Sequence, residues 1–106
     1  MPSAIFVVRA TLPDPARRDE FDRWYRDVHL PDAIRSFGVR KAWRVWSLAD
    51  PAVHQAVYQF DAIDAMERAV GGDEMKRLIA DFNRDWPDVT RTRESFVLAD
   101  GFPVDS

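Results

Sequence analysis

Residues 4–11, Ala-Ile-Phe-Val-Val-Arg-Ala-Thr, are apolar on both sides of an extended chain. Alternate side chains of a strand point to opposite faces. Ile5 and Val7 therefore share one face, and Phe6 and Val8 the other. Such a strand has to be covered on both sides, which a single layer of helices cannot do. Two further segments make the same demand. Val39–Leu48 (VRKAWRVWSL) reads as a strand with Trp43 and Val45 on one side and Ala42, Trp46 and Leu48 on the other. Val89–Ala99 (VTRTRESFVLA) reads as the last strand, with Val97 on one face and Phe96 and Leu98 on the other. His54–Phe60 (HQAVYQF) is the third strand in chain order. Asp50-Pro51 marks the turn before it, so strands two and three form an antiparallel hairpin with a longer loop.

Helical segments fill the gaps. Asp14-Pro15 combines a good N-cap with a proline that the first helical position tolerates. Phe21, Trp24, Tyr25 and Val28 then recur at i, i+3, i+4 and i+7, one apolar stripe. Pro31 predicts an end or a kink, because it lacks an N–H and disfavours the helical conformation at Leu30. A short further turn through Ala33 and Ile34 leads to Phe37-Gly38. Asp61 is placed to cap a helix over Ala62–Val70, Gly71-Gly72 interrupts it, and Asp73 is placed to recap. Met75, Leu78, Ile79, Phe82 and Trp86 continue an apolar stripe to Trp86-Pro87. Gly101-Phe102-Pro103 begins a short tail. The order βα-ββ-αβ predicts a ferredoxin-like α+β fold: a four-stranded antiparallel sheet with both helices on one face. The other face stays apolar, which predicts a homodimer packed sheet on sheet.

Composition narrows the function classes. A chain of 106 residues, 46% hydrophobic and 31% charged, predicts one globular domain over 1–106. With 15 basic and 18 acidic residues the net charge is -3, which argues against a nucleic-acid partner. No apolar run approaches the roughly 18 residues that span a bilayer, and the N-terminus has no secretory pattern. There is no cysteine, so no thiolate chemistry and no disulfide. These features predict a cytoplasmic protein with no membrane partner. Four tryptophans in so short a chain point to a large core or an aromatic-lined pocket.

The segment richest in chemistry is Phe21–Asp32, FDRWYRDVHLPD. Tyr25, His29 and Asp32 stand at i, i+4 and i+7, on one stripe if the helix continues. A histidine near a helix C-terminus is favoured as the cation. A carboxylate three residues on can hold a ring nitrogen and raise the pKa further. Such a pair is a positioned acid or base, with Tyr25 as a hydrogen-bonding group. The competing reading makes His29 a helix cap, Asp32 the start of the next turn and Tyr25 core. Trp24, Trp43, Trp46, Tyr58 and Trp86 are candidate substrate-binding walls, and at most one of Trp43 and Trp46 faces the pocket. His54 stands at a loop edge and reads as solvated. A metal site from His29, His54 and Asp32 would need three distant segments to converge, so none is expected. Gly71-Gly72 lacks the spacing of a phosphate loop, and Ser36, Ser47 and Ser95 have no nucleophile-elbow context.

The run F-x-x-W-Y-x-x-V-H-x-P, followed by Phe37-Gly38-Val39-Arg40, resembles the EthD-type proteins of the dimeric α+β barrel superfamily. The chain departs from the common pattern at Leu30, between His and Pro, and at Phe37, before Gly. The resemblance implies a dimer whose two sheets build a central barrel, with one pocket per subunit between helices and sheet. It carries the helix histidine over to His29, with Tyr25 and Asp32 beside it. Relatives include cofactor-free monooxygenases, polyketide cyclases, lactone isomerases and proteins linked to ether degradation. The expectation is a small enzyme without cofactor, moving protons on a small, largely apolar, oxygenated molecule. A non-catalytic binder with the same pocket is the alternative. Haem binding, suggested by other superfamily members, has no matching ligand pattern in this sequence.

Overall fold

The computed structural model describes residues 3–100. Its strands are β1 (Ala4–Thr11), β2 (Lys41–Trp46), β3 (Val53–Phe60) and β4 (Thr90–Val97). They form one antiparallel sheet in the order β2-β3-β1-β4. The helices are α1 (Arg18–Trp24), α2 (Leu30–Phe37), α3 (Ile63–Val70) and α4 (Asp73–Asp85). This is the ferredoxin-like α+β architecture. The predicted tail at Gly101-Phe102-Pro103 lies outside the described residues.

Register sorts the side chains. Phe6 lies opposite Tyr58 and Val8 opposite Ala56. With Ala4, Ala10 and Phe60 they form the face that packs on Phe21, Tyr25, Met66, Leu78 and Phe82 of the helices. Val7 lies opposite Val57, and Val57 opposite Trp43, on the other face. There Trp43, Val45 and Phe96 stand 36%, 44% and 44% exposed in the isolated chain. Trp43 and Trp46 do project to opposite faces. Leu48 joins neither, because β2 ends at Trp46 and leaves Leu48 fully exposed.

The first helical region departs most from its sequence pattern. A short 3-10 turn, Pro15–Arg17, starts it, with the Asp14 carboxylate accepting the Ala16 N–H at 3.0 Å. Pro31 then neither stops nor breaks the helix. Between α1 and α2 the chain makes one wide π turn, Tyr25–His29, in which the Leu30 N–H bonds the Tyr25 carbonyl. The extra residue turns everything downstream about the helix axis. Val28, in the stripe by α-helical spacing, is 55% exposed, and His29 takes its place at 8%. Gly38 ends α2 in the left-handed region (φ 68°), donating to the Ile34 carbonyl at 2.9 Å.

Two other details correct the sequence reading. Asp61 does not cap α3; its carboxylate pairs with Arg40 at 2.7 Å, and the N-cap position falls on Ala62. Asp73 is the first residue of α4, behind Gly72 at the cap.

Candidate functional site

The wide turn places Tyr25 and His29 side by side over the sheet. His29 follows Trp24 by five positions, so one π turn brings them into register. Their rings stack at 4.6 Å between centroids and 15° between planes. The Trp24 indole is held from behind by the Asp85 carboxylate at 3.1 Å. Tyr25 and Phe82 meet the imidazole edge-on, at 5.0 and 5.6 Å. His29 is thus fixed by packing, and among the described residues no side chain hydrogen-bonds its ring.

In front of the imidazole is a narrow cleft of about 20 Å³. Helix residues His29, Tyr25, Ala33, Phe37, Met75, Leu78, Ile79 and Phe82 form one wall. Sheet residues Phe6, Val8, Tyr58, Arg91 and Arg93 form the other. The lining is apolar apart from an imidazole, two phenols and two guanidiniums, and it contains no carboxylate.

Electrostatics sets the protonation of these groups. Burial lowers the His29 pKa to about 4; the Asp32 charge opposes the shift and the Arg91 charge adds to it. The imidazole is therefore neutral at pH 7, and the raised pKa predicted from the helix end and Asp32 is corrected. Desolvation outweighs both, because the ring lies inside the aromatic cluster rather than at a helix end. Desolvation also drives Tyr25 up to about 12, against the lowering effect of a hydrogen bond from Tyr58. Tyr58 is raised well above the ordinary phenol value, first by burial and then by Tyr25. Both phenols remain protonated donors.

Asp32 does not reach the imidazole as an orienting partner. Its carboxylate accepts from Arg77 at 2.8 and 3.0 Å, from Arg35 at 3.0 Å and from Ser36 at 3.4 Å. The Arg77 bonds tie α2 to α4 and are the largest cause holding the Asp32 pKa below the usual carboxylate range. The other candidates spread out. Trp24 backs His29. Trp86 packs in the core, 5.0 Å from Phe21, with Arg17 over its ring at 4.1 Å. Trp46 donates to Asp22 at 2.8 Å, away from the cleft. Trp43 lies on the opposite sheet face. The structure brings together His29, Tyr25 and Tyr58 at the cleft, and leaves Asp32, Trp43, Trp46 and Trp86 elsewhere.

His54 is a second correction. It is fully buried, not solvated, because β3 begins one residue earlier and sets it against Ala10 and Trp46. Its Nε2 faces the Arg44 guanidinium at 3.2 Å. Arg91 and Arg93 were not singled out from the sequence. Their spacing of two within VTRTRESF puts both on one sheet face, opposite Ala10 and Val8, and this was the available signal. Among the described residues no three His, Cys, Asp or Glu side chains cluster in a way that could hold a metal, and no helix is long and apolar enough to cross a membrane.

No protein-family model matches the sequence, and no curated protein matches it. Solved structures do. One is a Deinococcus radiodurans protein assigned as an antibiotic biosynthesis monooxygenase, at TM-score 0.71 and 10% identity over 97% of this chain and 99% of that one. SnoaB, a cofactor-independent oxygenase from Streptomyces nogalater, aligns at TM-score 0.68 and 16% identity over 98% and 100% of the two chains. An ethyl tert-butyl ether degradation (EthD) family protein from Bacillus halodurans aligns at TM-score 0.62 and 17% identity over 89% and 97%. The chain shares the ferredoxin-like α+β fold of these proteins.

Proposed function

We propose that this protein is a small cofactor-independent enzyme that moves a proton on a small, largely apolar, oxygenated molecule, with His29 as the base. The observation that carries the reading is a neutral imidazole at a cleft whose other polar side chains are all donors. A neutral ring accepts a proton from an acidic C–H or O–H. Charge then develops on the substrate oxygen, and the Tyr25 hydroxyl, which accepts from Tyr58, keeps its own proton to donate to it where water is scarce. Orientation comes from the Trp24 stack instead of a carboxylate. An enolate or phenolate formed in this way is a species that also reacts with dioxygen. The fold shared with a cofactor-independent oxygenase supports that outcome as much as an isomerisation or cyclisation. The protein acts as one domain, as a cytoplasmic homodimer covering the open sheet face.

The test is solvent deuterium exchange and oxygen uptake with a panel of enolisable ketones and hydroxylated aromatics. His29→Ala is expected to lower turnover by roughly 10²–10⁴-fold with the circular dichroism spectrum unchanged. Undiminished turnover in that variant overturns the assignment. The second reading, a non-catalytic binder, is favoured by one observation: Asp32 is engaged elsewhere, so no acid completes a dyad. Saturable binding across the panel without exchange or uptake selects it.

A further inference from the structure

Arg91 and Arg93 project from β4 into the same cleft as His29, and the proton-transfer reading gives them no task. Arg91 is fixed. Its guanidinium lies over the Phe82 ring at 3.9 Å, and its Nη2 donates to the Asn83 carboxamide. A stacked, tethered guanidinium keeps its remaining N–H groups pointed in one direction. Arg93 stands one pleat along on the same face and is exposed. Among the described residues neither guanidinium has a carboxylate within ion-pair distance, although Arg44 has one and Arg77 has three. The two like charges face an apolar space that contains no acid. Burial lowers the Arg91 pKa, and the Arg93 charge lowers it further. A bound anion relieves that repulsion, and it also lifts the Arg91 field that disfavours the His29 cation.

We infer that the cleft takes a substrate bearing a carboxylate, held between Arg91 and Arg93, with its apolar body against Phe6, Ile79 and Phe82 and its reacting end at His29. The inference rests on the proposed proton-transfer reading only for which end reacts. Forked N–H pairs match a carboxylate in plane, and a stacked arginine has already given up much of the freedom that binding would remove. The recognised class is therefore a small aromatic or alicyclic carboxylic acid, rather than its ester, amide or a neutral ketone.

The probes are benzoate and phenylacetate, with benzamide and phenylacetamide as neutral isosteres. Each is titrated into the purified full chain while the His29 ring and Trp24 indole resonances are followed. The carboxylates are expected to shift both resonances saturably and to bind at least about tenfold more tightly than the amides. Arg93→Gln alone should cut that preference several-fold, and the Arg91→Gln/Arg93→Gln pair should reduce it to within about twofold. Amide affinity should stay as it was. Arg93 is exposed, so its variant does not depend on the core to fold. Equal binding of acid and amide, no saturable binding of either acid, or a preference that survives the double variant each overturns the inference. His29→Ala separates the two claims. A retained carboxylate preference with undiminished turnover removes the base and leaves the carboxylate site. A lost turnover with no preference does the reverse.

Discussion

His54 has both ring nitrogens inside the protein. A guanidinium only donates, so the Nε2 it faces is the acceptor. The ring proton then sits on Nδ1, which is buried with no partner. Burial is the larger cause and Arg44 the next in lowering the His54 pKa to about 3. His29 is held at about 4, chiefly by burial. A histidine with a depressed folded pKa contributes stability that is complete above its unfolded value, near 6.5, and that is lost as pH falls toward the folded value. At pH 5 the unfolded chain carries nearly two more protons than the folded one on these residues. Stability should therefore fall by about 2.5 kcal/mol per pH unit near pH 5. Urea unfolding across pH 4.5–7 measures the slope, and His29→Gln should roughly halve it. Catalysis carries the same signature. The acid limb of kcat/KM should lie near the His29 value of about 4, and a limb near 6.5 would mean that the working base is not this buried imidazole.

At the scale of elements, two contacts were hidden from the sequence for different reasons. Periodicity assumes one helical pitch throughout. The π turn adds a residue where Pro31 removes an N–H, so the stripe Phe21, Trp24, Tyr25, Val28 continues at His29 instead. The strands were legible because a period of two survives local detail, and only their ends moved. Asp32 shows the limit of spacing as a warrant: i+3 from His29 was correct in sequence, but α4 brought Arg77 to it first. Asp32→Asn should therefore change turnover by less than about threefold while costing about 1 kcal/mol, since much of the Arg77 network faces water. A hundredfold loss of turnover would restore Asp32 as a partner of His29. The Asp22 carboxylate, taking the Trp46 N–H at 2.8 Å and Arg44 at 3.0 Å, behaves differently. Asp22→Ala leaves a guanidinium beside neutral His54 and an indole N–H unpaired. It should cost about 2–3 kcal/mol in urea unfolding, and a loss below 0.5 kcal/mol (roughly the level of a surface change) would count against the network.

For the whole molecule, the question left by the first eight-residue strand is what covers the second sheet face. The helices bury Phe6 and Tyr58 to 2%. On the far side Ile5, Val7, Trp43, Val45, Val57 and Phe96 supply apolar side chains from all four strands, with Arg9, Gln55, Gln59 and Glu94 among them. Soluble monomers rarely leave such a patch open. Two copies placed face to face would close it, because a sheet has the same shape complementarity to itself under a twofold axis. Phe96→Asp tests this without disturbing the isolated chain, where that ring is already 44% exposed. A monomer can solvate the new carboxylate, but a sheet-on-sheet dimer has to bury it unpaired, at a cost of several kcal/mol. Sedimentation should show the unaltered protein as a dimer at micromolar concentration and the variant as a folded monomer, or a dimer weakened at least about a hundredfold. A dimer indifferent to the new charge would place the contact elsewhere, and an unaltered chain that sediments as a monomer would leave the apolar face uncovered in solution.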